Sequence, residues 1–339
     1  MYNYFRTLYL ITLLFLVFLT SCKKHSQTEI ITNNSESDTT ELSEKGWRRF
    51  STENSSIGDN QINSIAIDKE DVKWVGTANG LVAIKGKAFI RYLPSNSPLP
   101  SAYITSVAVT AYGKIWVGTT DGLACFDGNV WRNYSKNNSL LPDDEISCLT
   151  YDPVNAKIWV GTSKGLVEIN KDGNFKVDTA KDGEHVYGLS TETSGILWAA
   201  TFDHTSFRGK IGRFDGQNWT GNRLSDLGYY SAHPFAVTVD KHGIPYFAIG
   251  GTSVNAIIYS KGNGWDEVPL SKGVGGIRTM ASSSKGIWIG GRQLYLWDGS
   301  AMHSYQVEGT DSPVATLAVD QKGAVWVGTM YGGLAVFRN

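Results

Sequence analysis

An all-β fold, a seven-bladed β-propeller of four-stranded antiparallel blades, is predicted by three features of this 339-residue sequence. A tryptophan-centred tetrapeptide recurs seven times, at spacings of 42, 43, 39, 48, 42 and 38 residues. Each copy lies in a period that holds four short strand patterns, and the pattern missing from the last copy stands at the start of the domain. Thirty-seven glycines, eleven tryptophans and few long helical patterns agree with short strands and tight turns.

The strong copies are Trp74-Val75-Gly76-Thr77, Trp116-Val117-Gly118-Thr119, Trp159-Val160-Gly161-Thr162 and Trp326-Val327-Gly328-Thr329. Weaker ones are Trp198-Ala199-Ala200-Thr201, Tyr246-Phe247-Ala248-Ile249 and Trp288-Ile289-Gly290-Gly291. In the second period an alternating strand, Ile104 to Val109, precedes a turn at Tyr112-Gly113 and the tryptophan strand. Thr120-Asp121 then turns into a third strand from Gly122 to Phe126, and Asp127-Gly128-Asn129 makes a hairpin turn into a fourth, Trp131 to Tyr134. Four short strands in a period of about 40 residues are the signature of a propeller blade.

Blades stack face to face, so their middle strands are expected to be apolar on both sides. Trp and the Gly two residues later share one face of the strand. The glycine is therefore expected to make room for a bulky side chain of the adjoining blade. The last copy ends at Gly333 to Phe337 without a fourth strand, whereas Trp47-Arg48-Arg49-Phe50 matches Trp131-Arg132-Asn133-Tyr134. The N-terminal strand is thus expected to complete the C-terminal blade and close the ring.

The N-terminus carries Arg6 and an apolar run from Leu8 to Leu19. A membrane-spanning helix needs about 20 residues, so the run fits the apolar part of a secretory signal. It ends in Leu19-Thr20-Ser21-Cys22, which resembles the lipobox of bacterial lipoproteins. That resemblance implies a signal peptide at residues 1–21 and acylation of Cys22, tethering the domain to a membrane without crossing it. Residues 22–45 are polar apart from Ile30 and Ile31 and read as a flexible linker, leaving 46–339 for the propeller. Lys23 replaces the aspartate linked to inner-membrane retention, which implies an outer-membrane location facing the periplasm.

A net charge of −1 gives no electrostatic footprint for nucleic acid. Cys125 and Cys148 lie in apolar strand patterns and read as small buried hydrophobes in preference to a disulfide.

The pattern Trp-Val-Gly-Thr-x-x-Gly-Leu, with Asn-Ser-x-Leu-Pro between blades at Asn96–Pro100 and Asn138–Pro142, resembles the two-component regulator propeller family. The resemblance covers residues 46–339, with copies four to six departing from it. It implies a sensor or recognition module of the kind found in periplasmic regions of hybrid histidine kinases, many tied to polysaccharide uptake. The sequence carries no kinase core and no DNA-binding helix pair. The expectation is a monomeric binding domain for a glycan or an envelope protein, not an enzyme, with no cofactor.

The lead-in loops and the connections between strands two and three share one face of a propeller, and long loops there tend to carry function. In the fourth blade that connection is read as a swollen loop from Phe202 to Gly209, and the lead-in loops hold Glu184-His185 and Tyr229, Tyr230 and His233. Tyr103, Phe202, Tyr229, Tyr230 and Tyr331 are candidate flat platforms for sugar rings, with Asp203, Arg208 and Arg292 supplying hydrogen bonds. An alternative is a metal-dependent polysaccharide lyase in which His185, His204 and His233 hold a divalent ion. Certain seven-bladed polysaccharide lyases resemble that arrangement, although no local ligand-spacing motif supports it here. No cysteine lies in an accessible, activated context. A third reading is an envelope docking protein.

Overall fold

The computed structural model describes residues 46–251, 254–271 and 273–338, together with the backbone of 29–31. The expected signal peptide and Cys22 lie outside the described residues. Among the latter, no helix is long and apolar enough to cross a membrane.

Twenty-eight strands fall into seven antiparallel four-stranded sheets, ordered from first strand to fourth. The first strand of each blade touches that of the next, from Ile62–Ile67 in blade 1 round to Val314–Val319 in blade 7 and back. First strands therefore surround the axis, and fourth strands form the rim. The ring closes as the sequence predicts. Gly46–Phe50 pairs with Leu334–Arg338, setting Trp47 opposite Phe337 and Phe50 opposite Leu334. One strand was not expected: within the stretch read as a linker, Glu29–Ile31 adds a fifth strand to blade 1, pairing with Ala88–Tyr92.

Second strands are buried almost end to end, as in Lys73–Thr77, Ile115–Thr119 and Val325–Thr329. Burying one such valine or leucine contributes about 1.5–3 kcal/mol. The repeat glycines do admit the neighbouring blade. A Cβ on Gly76 would lie 2.6 Å from Ile104 Cγ2, and one on Gly118 would lie 2.6 Å from Ile146 Cγ2. The repeat threonine closes the following hairpin: the hydroxyls of Thr77, Thr119, Thr162 and Thr329 donate to the carbonyls of Gly80, Gly122, Gly165 and Gly333.

The asparagine of the inter-blade motif is also structural. Asn96 Oδ1 accepts from the Leu93 amide at 2.7 Å, and Asn138 does the same for Ser135. Asn54 repeats the contact with Ser51, so the segment after Phe50 is a third copy of this motif. Cys125 and Cys148 are free thiols, raised by burial to about 11 and about 12.

Candidate functional site

In six blades the first strand opens with a bulge that leaves one residue between paired neighbours. These residues are Asn63, Thr105, Ser147, Tyr187, Phe235 and Ala315. In blades 1 and 3 the bulged side chain ties to the next blade: Asn63 Nδ2 donates to the Ile104 carbonyl at 2.8 Å, and Ser147 Oγ to that of Val186 at 2.6 Å. Blades 4 and 5 place the aromatic rings of Tyr187 and Phe235 there instead.

Tyr187 and Phe235 belong to a closed circuit of six rings. Tyr187 lies parallel to His185, with centroids 4.2 Å apart, and meets Phe235 edge-on at 6.5 Å. Phe235 lies 6.3 Å from His233, and His233 stacks on Phe202 at 4.0 Å. Phe202 meets His204 at 5.0 Å, and His204 returns to His185 at 5.8 Å. Phe235 lies over Gly250, where a Cβ would come within 2.8 Å of its ring. Phe202 is buried, whereas Phe235 is 40% exposed and His204 is exposed. The circuit thus shows a partly open surface of flat rings where blades 4 and 5 meet.

Burial acts on two of the three imidazoles. Burial lowers the pKa of His185, as does His204, against the carboxylate of Glu145, which raises it. Burial and then His204 lower that of His233 as well. Both imidazoles are therefore neutral at pH 7, with nitrogens able to donate or accept.

The sequence reading of a swollen loop from Phe202 to Gly209 is corrected by the structure. Leu197–Asp203 and Arg208–Phe214 are seven-residue strands, two longer than the middle strands of blade 2, and only residues 204–207 form the tip. Likewise His185 and His233 open first strands and do not lie in lead-in loops. At the tip Phe207 is 78% exposed and has a φ of 52°. Asp203 is not free to bind. Its carboxylate accepts from the hydroxyls and amides of Ser206 and Thr205, and these bonds hold its pKa well below the usual range.

Beneath the circuit lies a buried ion cluster that sequence reasoning missed. Glu184 accepts from Thr201 Oγ1 at 2.6 Å and Lys210 Nζ at 2.5 Å, with Lys181 Nζ at 3.5 Å. Burial pushes the Glu184 pKa up, but the two lysines and the Thr201 hydroxyl outweigh it, so the net shift is downward. Lys181 also lies 4.4 Å from the centre of the Trp219 ring. Thr201 is the repeat threonine of blade 4, here turned from closing a hairpin to holding a carboxylate. Because Glu184 and Thr201 adjoin His185 and Phe202, the cluster fixes the backbone on which two of the rings stand.

The structure brings only part of the proposed platform set together. Phe202 joins the circuit, but at 3% exposure it supports His233 and offers no free face, so its reading as a sugar platform is corrected. Tyr229 turns towards the rim and donates to Glu267, beside a cleft of about 380 Å³ that Trp265 also lines. Tyr103 accepts from Gln61 at 2.7 Å near blade 1. Tyr230 and Tyr331 are 81% and 69% exposed. No ring contact joins Tyr103, Tyr229, Tyr230 and Tyr331 among the described residues. Arg208 is exposed at the blade 4 hairpin, and Arg292 is exposed on blade 6. The three histidines do converge, but as ring neighbours: among the described residues no group of three His, Cys, Asp or Glu side chains is placed to hold a metal ion. Tyr187 and Phe235 were legible only as strand residues, since the bulge that turns them to the site has no sequence mark of its own.

The profile of the two component regulator propeller family matches residues 98–121, which run from the inter-blade motif through the tryptophan strand of blade 2. The chain carries a two-component regulator propeller repeat. A comparison with curated proteins finds no significant match. Among solved structures, virginiamycin B lyase from Staphylococcus aureus superposes with a TM-score of 0.69 at 15% identity, over 86% of this chain and 99% of that one. The extracellular domain of a putative hybrid two-component system from B. thetaiotaomicron gives 0.70 at 16% identity, over 87% of this chain and 42% of that one. YCF48 bound to D1 peptide gives 0.65 at 14% identity, over 88% of this chain and 97% of that one. Identities this low speak for the shared propeller fold only.

Proposed function

We propose that this propeller is a recognition module whose ligand lies against the ring circuit of blades 4 and 5. The observation that carries the reading is the exchange at the bulge. Positions that make polar ties in blades 1 and 3 hold Tyr187 and Phe235 here, and Phe235 stays 40% exposed. A flat, partly apolar surface edged by imidazole nitrogens suits the C–H face of a sugar ring, with the nitrogens meeting its hydroxyls. The two-component regulator propeller repeat at residues 98–121 supports a sensing role. In this reading Cys22 is acylated and anchors the domain in the cell envelope, at the outer membrane facing the periplasm, and the ligand is a glycan.

The test is thermal unfolding of the purified protein against neutral and acidic oligosaccharides. A ligand at about 100 times its dissociation constant stabilises by about 2.7 kcal/mol. A sugar-dependent rise in Tm that disappears in Tyr187→Ala and Phe235→Ala is expected. A flat panel would reject the glycan and favour an envelope protein as partner, recovered by crosslinking. Mass spectrometry of the N-terminal peptide decides whether Cys22 carries acyl chains.

A second reading, catalysis, is favoured by the neutral imidazoles, which can accept a proton at pH 7. Product analysis of any sugar that binds, with and without divalent metal, separates a lyase from a receptor.

A further inference from the structure

Blade 6 departs from the repeat in a way that opens a second cleft. Where four other blades have the hairpin-closing threonine, blade 6 has Gly291, followed by Arg292 and Gln293. The turn is held by the Gly291 amide donating to the Gln293 carbonyl at 3.0 Å. The connection from blade 5 runs against it, its Gly275 carbonyl accepting from the Arg292 amide at 3.1 Å. Only glycine allows this approach, because a Cβ on Gly291 would stand 2.7 Å from the Gly275 oxygen. Between this connection, the hairpin and the fourth strand lies a cleft of about 430 Å³.

Its walls mix apolar groups, Val274 and Met302, with hydrogen-bonded polar ones. Gln293 Nε2 donates to Gln306 Oε1 at 2.7 Å, and Gln306 Nε2 donates to Asp311 Oδ1 at 3.2 Å. Ser304 adds a hydroxyl, and the Tyr295 hydroxyl donates to the Gly273 carbonyl at 3.4 Å. Arg292 is exposed at this cleft, and no carboxylate among the described residues forms an ion pair with its guanidinium, Asp311 included. An uncompensated guanidinium offers two parallel donors to a carboxylate. The amide chain ending in Asp311 offers alternating donors and acceptors, which suit hydroxyls.

We propose that this cleft binds a small hydroxylated carboxylic acid of the sugar-acid class, with Arg292 taking the carboxylate and the Gln293, Gln306 and Asp311 side chains taking hydroxyls. The site is independent of the ring circuit on blades 4 and 5. The experiment is calorimetric titration of the full chain with digalacturonate, its dimethyl ester and succinate, at low and moderate salt. Digalacturonate binds, and the ester binds at least about tenfold more weakly, as loss of a charge-assisted pair requires. Arg292→Gln shows the same loss with an unchanged melting temperature, and Arg292→Lys, which keeps the charge but not the fork, falls between. Tyr187→Ala and Phe235→Ala leave digalacturonate binding intact. No binding of digalacturonate, equal binding of the ester, or unchanged binding by Arg292→Gln overturns the proposal. Succinate binding as tightly as digalacturonate overturns the sugar-acid class, and loss in the Tyr187 or Phe235 variants moves the site to the circuit.

Discussion

The imidazole of His233 lies on the ring of Phe202 with centroids 4.0 Å apart and planes 17° from parallel, joining the first strand of blade 5 to the second of blade 4. Phe202 is 3% exposed and carries His204 on another side. Phe202→Ala therefore removes a buried ring shared by two blades, and a loss of about 3–5 kcal/mol is expected. Urea unfolding reads it as a lower midpoint. Tyr230→Ala, at an 81% exposed position, should stay within about 0.5 kcal/mol. Equal effects in the two variants would contradict the supporting role of Phe202.

The same burial makes stability depend on pH. His185 and His233 have folded-state pKa values below the ordinary 6.5. Below that value the unfolded chain binds more protons than the folded one, so stability is full above about pH 6.5 and is lost as pH falls through the folded values. Depressed carboxylates such as Glu184 act lower, near and below their ordinary 4.5. Urea midpoints at pH 7.5 and 5.5 isolate the imidazole part. The wild type should lose stability over this interval, and His185→Gln should lose less. An unchanged pH response in the variant would show that His185 does not titrate with folding.

The architecture was legible because it is repeated. Gly76 and Gly118 meet Ile104 and Ile146 in the same way, so one inference about glycine covers several blades. Ring closure was legible because Trp47 to Phe50 copies Trp131 to Tyr134, and Asn54 could have been read as a third copy of the inter-blade asparagine. The site was legible only in part. His185, His204 and His233 stood out as rare residues in the divergent blades, and they do converge. Tyr187 and Phe235 did not stand out, because a bulge reverses the expected in-and-out alternation of a strand without changing its composition. Tyr229 misled for a related reason: an exposed-looking loop tyrosine found a carboxylate, Glu267, on the rim.

Glu184 is the joint of the ion cluster under the circuit. It is 7% exposed and accepts from Thr201 and Lys210, with Lys181 close by. Glu184→Ala leaves Lys181, itself 7% exposed, without its main counter-charge, Asp178 acting more weakly. Breaking a buried pair from one side costs about 3–5 kcal/mol, towards the lower end here because Lys210 reaches solvent. Lys210→Ala should cost less than Glu184→Ala, since Lys181 still neutralises the carboxylate. The reverse order in urea unfolding would place the main pairing at Lys210.

Gly118→Ala tests the blade interface directly. The added Cβ would lie 2.6 Å from Ile146 Cγ2, and both groups are walled in by neighbouring strands. Overpacking of this kind costs about 1–3 kcal/mol. Ile146→Ala alone costs about 2–5 kcal/mol through the cavity it leaves. Combined, the two changes should cost less than their sum, because the new methyl group enters the vacated space. Strict additivity in the double-mutant cycle would mean that the two residues do not share that space.

The last prediction concerns closure. Trp47 packs on Phe337 with centroids 4.8 Å apart, and Phe50 stacks on Trp326 while touching Phe89 of blade 1. Five residues thus cover the open edge of Leu334–Arg338 and fill the core between the last blade and the first. A chain beginning at Gly46 keeps all of this, and it should unfold in one cooperative transition near that of the full chain. A chain beginning at Ser51 loses the strand and the Phe50 ring and exposes an unpaired edge that can recruit other chains. It should melt earlier and less cooperatively, and light scattering should show association. If both truncations melt alike, the first and last blades are held together by their first strands, and the N-terminal strand is an ornament of the ring.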